Sequence, residues 1–379
     1  MMARHPAPHG ARRAHSQRPA HLAAASSTFR AASRATTTRT RVALPTRDDL
    51  GSSDREGNPA VGQSLGATER KLERSVDGNL ATATLLIDCP DKKGVVAAST
   101  TILYGQGCNI LETEQHSQPD SGLFFQRVHF DYSDSFLGNG EAAERGIEQA
   151  IDSIASRFDM TWRVSYTRRK KRMAILVSKL DHCLYDILLR KKSGEFDVDI
   201  PLIISNHATL APVAKQFGIP FHHLPLVRDP ANKSAEQFAR EKQEQEAEIE
   251  RLMEANGIDI IVLARYMQVM TEGFCARHSD HTINIHHSFL PAFEGGYPYH
   301  RAYERGVKVI GATAHYATAE LDAGPIIEQD VIRISHRDSV EDMVKKGRNL
   351  ERTVLSHALG WHLADRVMVH GNKTVVFRD

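Results

Sequence analysis

The stretch that decides the fold is Thr282-Ile283-Asn284-Ile285-His286-His287-Ser288-Phe289-Leu290-Pro291. Its first five residues alternate polar and apolar side chains, which predicts a β-strand with Asn284 and His286 on the same face. Pro291 then forces the chain out of the strand. A strand that ends in polar side chains and runs into a Pro-terminated loop is a poor core element, so it predicts a functional site at the strand end.

The residues before this strand alternate between apolar strands and helices. We predict strands over 173–178, 198–206, 221–224 and 258–263, and helices over 183–192, 209–217 and 233–255. The charges of the last helix are expected to cover a solvated face. Such alternation indicates an α/β fold with a mostly parallel sheet and helices on both of its faces. Ligands of these sheets bind at the carboxyl ends of the strands, which is where the Asn284 strand places its polar residues.

A third polar residue joins this group from a loop. Asp322 lies between Leu321 and Ala323-Gly324-Pro325, and a strand is predicted over 326–334. An asparagine amide can donate to a carbonyl oxygen that gains negative charge, a histidine can move a proton near neutral pH, and a carboxylate can orient that imidazole. On spacing alone, a hydrogen-bonded cluster that performs no reaction is an open alternative.

A smaller unit is predicted over residues 80–167. Its pattern gives strands over 80–88, 109–116, 123–132 and 160–166, with helices over 95–104 and 141–158, which is the βαββαβ order of a ferredoxin-like sandwich. This unit resembles an ACT domain, a small regulatory module. The resemblance rests on Asp91-Lys92-Lys93-Gly94-Val95-Val96, Gly107-Cys108-Asn109-Ile110, Glu114-Gln115-His116 and Phe124-Phe125-Gln126-Arg127-Val128. It implies a small effector and a homo-oligomer, and a purely structural dimerisation sandwich is the alternative.

Residues 173–379 resemble the folate-dependent formyltransferase-fold enzymes. The segment 284–291 is similar to their N-x-H-x-S-x-L-P signature, 321–325 to the signature with the catalytic Asp, and 263–270 to the loop that recognises the pterin ring. The resemblance implies a Rossmann-like formyltransferase fold with Asn284, His286 and Asp322 as catalytic residues. The residues expected to contact the folate are Arg265, Met267, Gln268, Val269, Met270, Ser288 and Lys179.

The two units together resemble the formyltetrahydrofolate deformylase family. The loop after the first strand, residues 177–188, contains no Gly, which argues against the backbone phosphate cradle of a glycinamide ribonucleotide formyltransferase. The resemblance implies hydrolysis of 10-formyltetrahydrofolate in one-carbon metabolism, which also serves purine biosynthesis. A formyltransferase with another acceptor and an inactive folate or amino-acid sensor are the alternatives. Residues 293–300 depart from the family pattern at Glu294 and Gly296, which bears on affinity.

The hypothesised reaction is acyl transfer to water. A water molecule held by Asp322 and His286 attacks the formyl carbon, Asn284 and the protonated His286 stabilise the oxyanion, and His286 helps to protonate N10. No covalent nucleophile and no cofactor are needed. We expect no metal site either, since His222-His223, His286-His287 and His315 do not combine with acids at metal-ligand spacing.

Net charge separates a leader from the rest of the chain. Residues 1–47 contain nine Arg and no Asp or Glu, so they carry +9; the whole chain is +1, which leaves 1 − 9 = −8 for the remainder. A leader rich in Arg and free of acids predicts an organelle transit peptide, to the mitochondrion first and the plastid second. A tail without an address is the alternative. Residues 48–79 are predicted to be a flexible extension and 168–172 a basic linker.

Composition excludes several classes of protein. The acidic remainder argues against a nucleic-acid binder, and no apolar run reaches the ~20 residues of a membrane span. The four Cys are far apart, which indicates neither a disulfide framework nor a zinc finger. Composition thus predicts no nucleic-acid and no membrane partner. The family resemblance implies a small folate substrate, an effector at the ACT-like unit and a second copy of the chain.

Overall fold

The computed structural model describes residues 81–227, 231, 233–292 and 297–378. They belong to one compact unit, Leu65–Asp379. The predicted transit peptide 1–47 and flexible extension 48–79 lie outside the described residues, as do Glu294 and Gly296.

The N-terminal part of this unit has the predicted βαββαβ order. Its elements are β1 (Thr82–Pro90), α1 (Val95–Gly105), β2 (Asn109–Gln118), β3 (Leu123–Asp131), α2 (Glu141–Phe158) and β4 (Thr161–Tyr166). The strands form an antiparallel sheet in the order β2-β3-β1-β4. Apolar residues of the sheet pack with those of α1 and α2, including Leu103 and Ile147, so the helices cover one face of the sheet.

The C-terminal part contains a seven-stranded sheet. Its strands are β5 (Arg172–Val177), β6 (Asp199–Ser205), β7 (Phe221–His223), β8 (Ile260–Leu263), β9 (Thr282–His286), β10 (Val309–Tyr316) and β11 (Ile326–Arg333). The spatial order is β11-β10-β9-β8-β5-β6-β7. Pairing is parallel from β9 through β7 and antiparallel for β9-β10-β11. The predicted mostly parallel sheet is thus confirmed. The predicted basic linker is one residue shorter, because Arg172 begins β5.

Helices cover both faces of this sheet. They are α3 (His182–Ser193), α4 (Ala211–Gln216), α5 (Ala235–Ala255), α6 (Glu272–His278), α7 (Pro298–Arg305) and α8 (Val340–Leu363). One face packs against α3 and α8, and the other against α5 and α6. The central strands are apolar on both sides for this reason, and all four residues of β8 are buried. A short pair, β12 (Val367–His370) and β13 (Lys373–Val376), follows α8.

The charged helix α5 is only partly the solvated element that its sequence predicts. Glu246 turns inward and is 4% exposed. Its carboxylate accepts a hydrogen bond from the backbone N–H of Thr271 at 2.8 Å and another from the Thr271 hydroxyl. Because Thr271 caps α6, this contact fixes the loop that joins β8 to α6.

The four-stranded sheet contacts the C-terminal part through apolar residues in β12 and after β13. Leu86 and Phe125 of the first sheet pack against Met368 of β12 and Phe377. Arg366 lies 3.4 Å from Glu112 and 3.3 Å from Glu114, and both acids belong to β2. Among the described residues, no helix combines the length and the apolar content needed to cross a membrane.

Helix α8 begins with a capping box at Ser339 and Asp342 and packs against α7 through a glycine. A Cβ added to Gly347 would lie 2.0 Å from the Tyr299 hydroxyl oxygen, so a side chain there cannot coexist with the Tyr299 ring. At Gly360, on the same helix, the nearest atom to an added Cβ is 3.9 Å away. The two glycines therefore form a matched pair for a packing test.

Gly347→Ala is expected to lower the free energy of unfolding by about 1–3 kcal/mol, because the added methyl group overpacks the α7–α8 contact. Gly360→Ala should leave stability unchanged or raise it by up to about 1 kcal/mol, since alanine favours helix. Urea unfolding measures both variants. Equal stability of the two would contradict the packing at Tyr299.

Candidate active site

A cavity of about 240 Å³ opens at the carboxyl ends of β8 and β9. Its lining combines the apolar loop after β8 with polar side chains from β9, β10 and the loop before β11. The predicted residues found in the lining are Asn284, His286, Asp322, Arg265, Met267, Gln268, Val269 and Met270. The structure therefore brings most of the predicted site residues together at the sheet edge where parallel-sheet ligands bind.

His286 and Asp322 form a buried pair at the cavity wall. The His286 Nδ1 atom lies 3.2 Å from Asp322 Oδ1, and the two side chains are 7% and 5% exposed. A carboxylate can only accept a hydrogen bond, so we assign the ring proton to the Nδ1 atom that faces Asp322. The other ring nitrogen, Nε2, is buried and has no partner. This nitrogen is therefore free to exchange a proton with a bound substrate or water.

Asp322 reaches His286 through an unusually close approach of two backbone segments. The Tyr316 N–H donates to the Pro325 carbonyl at 2.9 Å, and a Cβ on Gly324 would lie 1.8 Å from the Tyr316 carbonyl oxygen. Only glycine fits there. Asp322 itself has a φ of 57°, a left-handed conformation that is uncommon for residues other than glycine. The Leu-Asp-Ala-Gly-Pro pattern is thus required by the path of this loop.

His315 orients the Asn284 amide, a role that the sequence analysis did not assign. Its Nδ1 lies 2.9 Å from the Tyr316 carbonyl, which can only accept, so Nδ1 is the protonated nitrogen. Its Nε2 therefore accepts from Asn284 Nδ2 at 3.1 Å. Burial lowers the pKa of His315, which keeps the ring neutral. This contact leaves the second amide hydrogen of Asn284 available to an oxygen in the cavity.

Hydrogen bonds from side chains hold the loop that follows β9. The Thr313 hydroxyl donates to the Ser288 carbonyl at 2.8 Å and accepts from the Leu290 N–H at 3.1 Å. The Ser288 hydroxyl donates to the Ala292 carbonyl at 2.8 Å, and Ser288 is not part of the cavity lining. Its expected contact with the folate stays a prediction, while the structure gives it a role in holding the loop.

The loop after β8 forms the apolar wall of the cavity. Its Met267 N–H donates to the Ser178 hydroxyl at 2.9 Å, and that hydroxyl donates to Asn206 at 2.7 Å. The backbone is therefore fixed, while Met267 and Val269 are more than half exposed, as suits a surface that a flat ring would cover. Lys179 does not line this cavity, so its predicted substrate contact stays untested.

Arg265 and His287 form the deep end of the cavity. Arg265 is 7% exposed, and its Nε lies 3.3 Å from Glu351. Its charge is therefore paired within the protein. Burial, assisted by the Arg265 charge, lowers the pKa of His287 to about 3, so this ring is neutral at pH 7. The ring of His287 lies beside that of His286, with centroids 5.0 Å apart.

One group of side chains in the described part of the chain could share a metal ion. Single ligand atoms of His182, Cys183 and Glu351 lie within 4.8 Å of one another. However, Glu351 already accepts from His182 and pairs with Arg265, and burial raises the pKa of Cys183 well above its usual value. A protonated thiol is a poor metal ligand, and the nearby guanidinium repels a divalent cation. The absence of a metal site nevertheless stays a prediction.

Comparison with known proteins places this arrangement in context. The sequence profile described as Formyl transferase matches residues 171–359. A formyltetrahydrofolate deformylase from Synechocystis sp. is 49% identical over 78% of this chain and 98% of its own, and one from Bacillus subtilis is 44% identical over 81% and 98%. A crystal structure of a formyltetrahydrofolate deformylase from Pseudomonas syringae pv. tomato superposes with a TM-score of 0.73 at 44% identity, covering 82% of this chain and 99% of that one.

His287 should make the protein sensitive to acid. Its ring stays neutral in the fold down to about pH 3, whereas in the unfolded chain it titrates near its ordinary pKa of 6.5. Between these two pH values the unfolded state therefore binds one more proton than the folded state. The free energy of unfolding decreases by about 1.4 kcal/mol for each unit by which the pH is lowered. In His287→Gln, the free energy of unfolding should depend less steeply on pH between roughly pH 6 and 4. The slope should be smaller by about 1.4 kcal/mol per pH unit, which corresponds to one proton. The exposed His336→Gln is the control, and an unchanged slope in His287→Gln would refute the assignment.

Proposed function

The chain belongs to the formyltetrahydrofolate deformylase family, and we propose that it hydrolyses 10-formyltetrahydrofolate to formate and tetrahydrofolate. The observation that carries this function is the free Nε2 atom of His286, which lies in a cavity beside an oriented Asn284 amide and has Asp322 on its other nitrogen. A proton carrier, an oxyanion donor and a carboxylate that stabilises the charged ring are what attack of water on a formyl group requires.

The reaction follows from these contacts. Water adds to the formyl carbon while His286 Nε2 takes one of its protons, and the negative charge on the oxygen is met by the Asn284 amide. Asp322 stabilises the resulting imidazolium through Nδ1. The C–N10 bond then breaks, His286 returns its proton to N10, and formic acid leaves together with tetrahydrofolate, losing its remaining proton to solvent to become formate. No cofactor takes part in any of these steps.

The folate is held by complementary surfaces. The pterin ring lies against the loop Met267–Met270, where exposed apolar side chains offer a flat contact. The formyl group reaches Asn284 and His286 near the carboxyl end of β9. The tetrahydrofolate released returns to the one-carbon pool, and the formate serves reactions such as those of purine biosynthesis.

The alternative functions have less support. A transferase of phosphorylated amines needs a backbone phosphate cradle, but the loop after β5 lacks Gly, and His182 from that loop is directed to the buried Glu351. An inactive sensor would have no need of the intact His286–Asp322 pair. Water as the acceptor therefore fits the residues best.

Purified protein should release formate from 10-formyltetrahydrofolate with no acceptor present. Asn284→Ala and His286→Ala are each expected to lower kcat by about 10²–10³, since each removes a group that acts on the developing oxyanion or its proton. Asp322→Ala should lower kcat at least about 10²-fold. Formate is measured by a coupled dehydrogenase assay.

The exposed His336→Ala is the control for these variants and should keep full activity. No formate release from the wild-type protein would refute hydrolysis. Release that appears only with an added amine would favour a transferase, and an undiminished Asp322→Ala would remove Asp322 from the mechanism.

The N-terminal unit is proposed to be an ACT domain that takes a small effector and joins chains into a homo-oligomer. Support comes from its βαββαβ order and from the motifs around Gly94 and Gly107, both of which have positive φ angles. Its contacts with β12 offer a route by which a ligand on this unit influences the catalytic part.

The leader is proposed to direct the protein to the mitochondrion, with the plastid as second choice. Support comes from its nine Arg and absence of acids over residues 1–47. A fusion of residues 1–47 to a fluorescent reporter should accumulate in mitochondria, and replacement of its Arg by Gln should leave the reporter in the cytosol. A wild-type fusion that stays in the cytosol would refute the address.

A further inference from the structure

A buried carboxylate lies behind the candidate site and outside its lining. Glu351, on α8, has a side chain that is 1% exposed. A charged carboxylate in such a place is costly unless several donors satisfy it. Glu351 accepts two hydrogen bonds, from His182 Nε2 at 2.8 Å and from the Tyr299 hydroxyl at 2.8 Å, and it forms an ion pair with the Arg265 guanidinium, whose Nε lies 3.3 Å away.

The three partners of Glu351 come from three different segments of the chain. His182 begins α3 after β5, Arg265 opens the loop after β8, and Tyr299 lies in α7 after β9. One carboxylate therefore joins three segments that are far apart in the sequence.

Two of these segments form part of the cavity wall or contact a residue of that wall. Arg265 starts the loop that continues to Met270 and forms the apolar wall of the cavity. The ring of Tyr299 lies 5.8 Å from that of His287, which is 5.0 Å from the ring of His286. Displacement of either segment would therefore move the pterin wall or the proton carrier.

Local geometry is adapted to these contacts. Gly347, one helical turn before Glu351, provides the space that the Tyr299 hydroxyl occupies. Arg265 has a φ of 62°, a backbone conformation that costs free energy for a residue other than glycine and persists only where surrounding contacts impose it. Its pairing with Glu351 is such a contact.

The charge of Glu351 is held by the same partners. Burial alone would raise its pKa, but the hydrogen bond from His182 and the charge of Arg265 outweigh this effect and lower the pKa to about 2. The group is therefore an anion at any physiological pH and does not itself exchange protons with a substrate.

We propose that Glu351 is a positioning residue of the deformylase site, which fixes the Arg265 loop and the Tyr299–His287 contact so that the folate and the water meet His286 in a reactive arrangement. This inference rests on the proposed function. Misplacement by about 1 Å can cost on the order of 10² in rate, so a group that never touches the substrate can still control kcat and KM.

The test compares Glu351→Gln with Asp365→Asn. Glutamine keeps the size of the side chain and can accept from Tyr299, but it leaves the Arg265 charge without a counterion. Asp365 follows the same helix, is 13% exposed on its side chain and pairs with Lys171 at 2.8 Å, away from the cavity lining. Asp365→Asn therefore removes a partly buried ion pair of the same part of the protein without disturbing the site.

We expect Glu351→Gln to lower kcat/KM by about 10- to 100-fold, with KM raised and tetrahydrofolate binding weakened in a calorimetric titration. Asp365→Asn should keep both within twofold, even where its loss of thermal stability is similar. A change in KM and kcat of less than twofold in folded Glu351→Gln, or an equal loss in Asp365→Asn, would overturn the proposal.

Tyr299→Phe keeps the test decisive if Glu351→Gln does not fold. It removes one hydroxyl and retains the ring against His287, and kcat/KM should fall about fivefold or more. Unchanged kinetics in Tyr299→Phe would then overturn the proposal. Failure of the proposed function is distinguishable, because it would appear as absence of formate release by the wild-type protein, whose tetrahydrofolate binding is measured separately.

Discussion

The antiparallel register of β9 with β10 is the constraint on which the site depends. It sets His315 opposite Asn284 and Thr313 opposite His286. The first pairing lets a neutral histidine orient the Asn284 amide, and the second places the Thr313 hydroxyl where it bonds the loop that follows His286. A shift of one residue would exchange the faces of these side chains and separate all four.

The loop that supplies Asp322 shows how closely this geometry is determined. Gly324 approaches the end of β10 so tightly that no Cβ fits, and Asp322 adopts a left-handed backbone conformation. Both features cost conformational free energy, and the residue propensities alone would not predict them. They persist because a backbone hydrogen bond from Tyr316 to Pro325 holds the loop, and the result is a carboxylate 3.2 Å from His286.

The sequence predicts the local parts of this protein well and the long-range parts poorly. The β9 strand, the βαββαβ order and the trio Asn284, His286 and Asp322 follow from alternation, turn residues and a family resemblance. The role of His315 does not, because it depends on strand pairing that no local pattern encodes. Glu351 lies within α8, where its sequence neighbours indicate only a helix, and its function arises from donors up to 169 residues away. Arg265 lines the cavity, so its expected contact with the folate stays a prediction, but its charge is paired with Glu351, which the sequence does not indicate.

This pairing changes the electrostatic view of the site. Three histidine rings line the cavity. If all three were cations, the site would attract an anion, but none of the rings could accept a proton from water. Burial lowers the pKa of His287 and of His315, while Glu351 neutralises Arg265. His286 is the histidine whose ring nitrogen donates to Asp322, so the environment distinguishes it from its neighbours. Among the described residues that line the cavity, the rings of His287 and His315 are neutral and the Arg265 charge is paired with Glu351. His286, which has Asp322 beside its Nδ1 and no partner on its Nε2, is the histidine that we propose as the proton carrier.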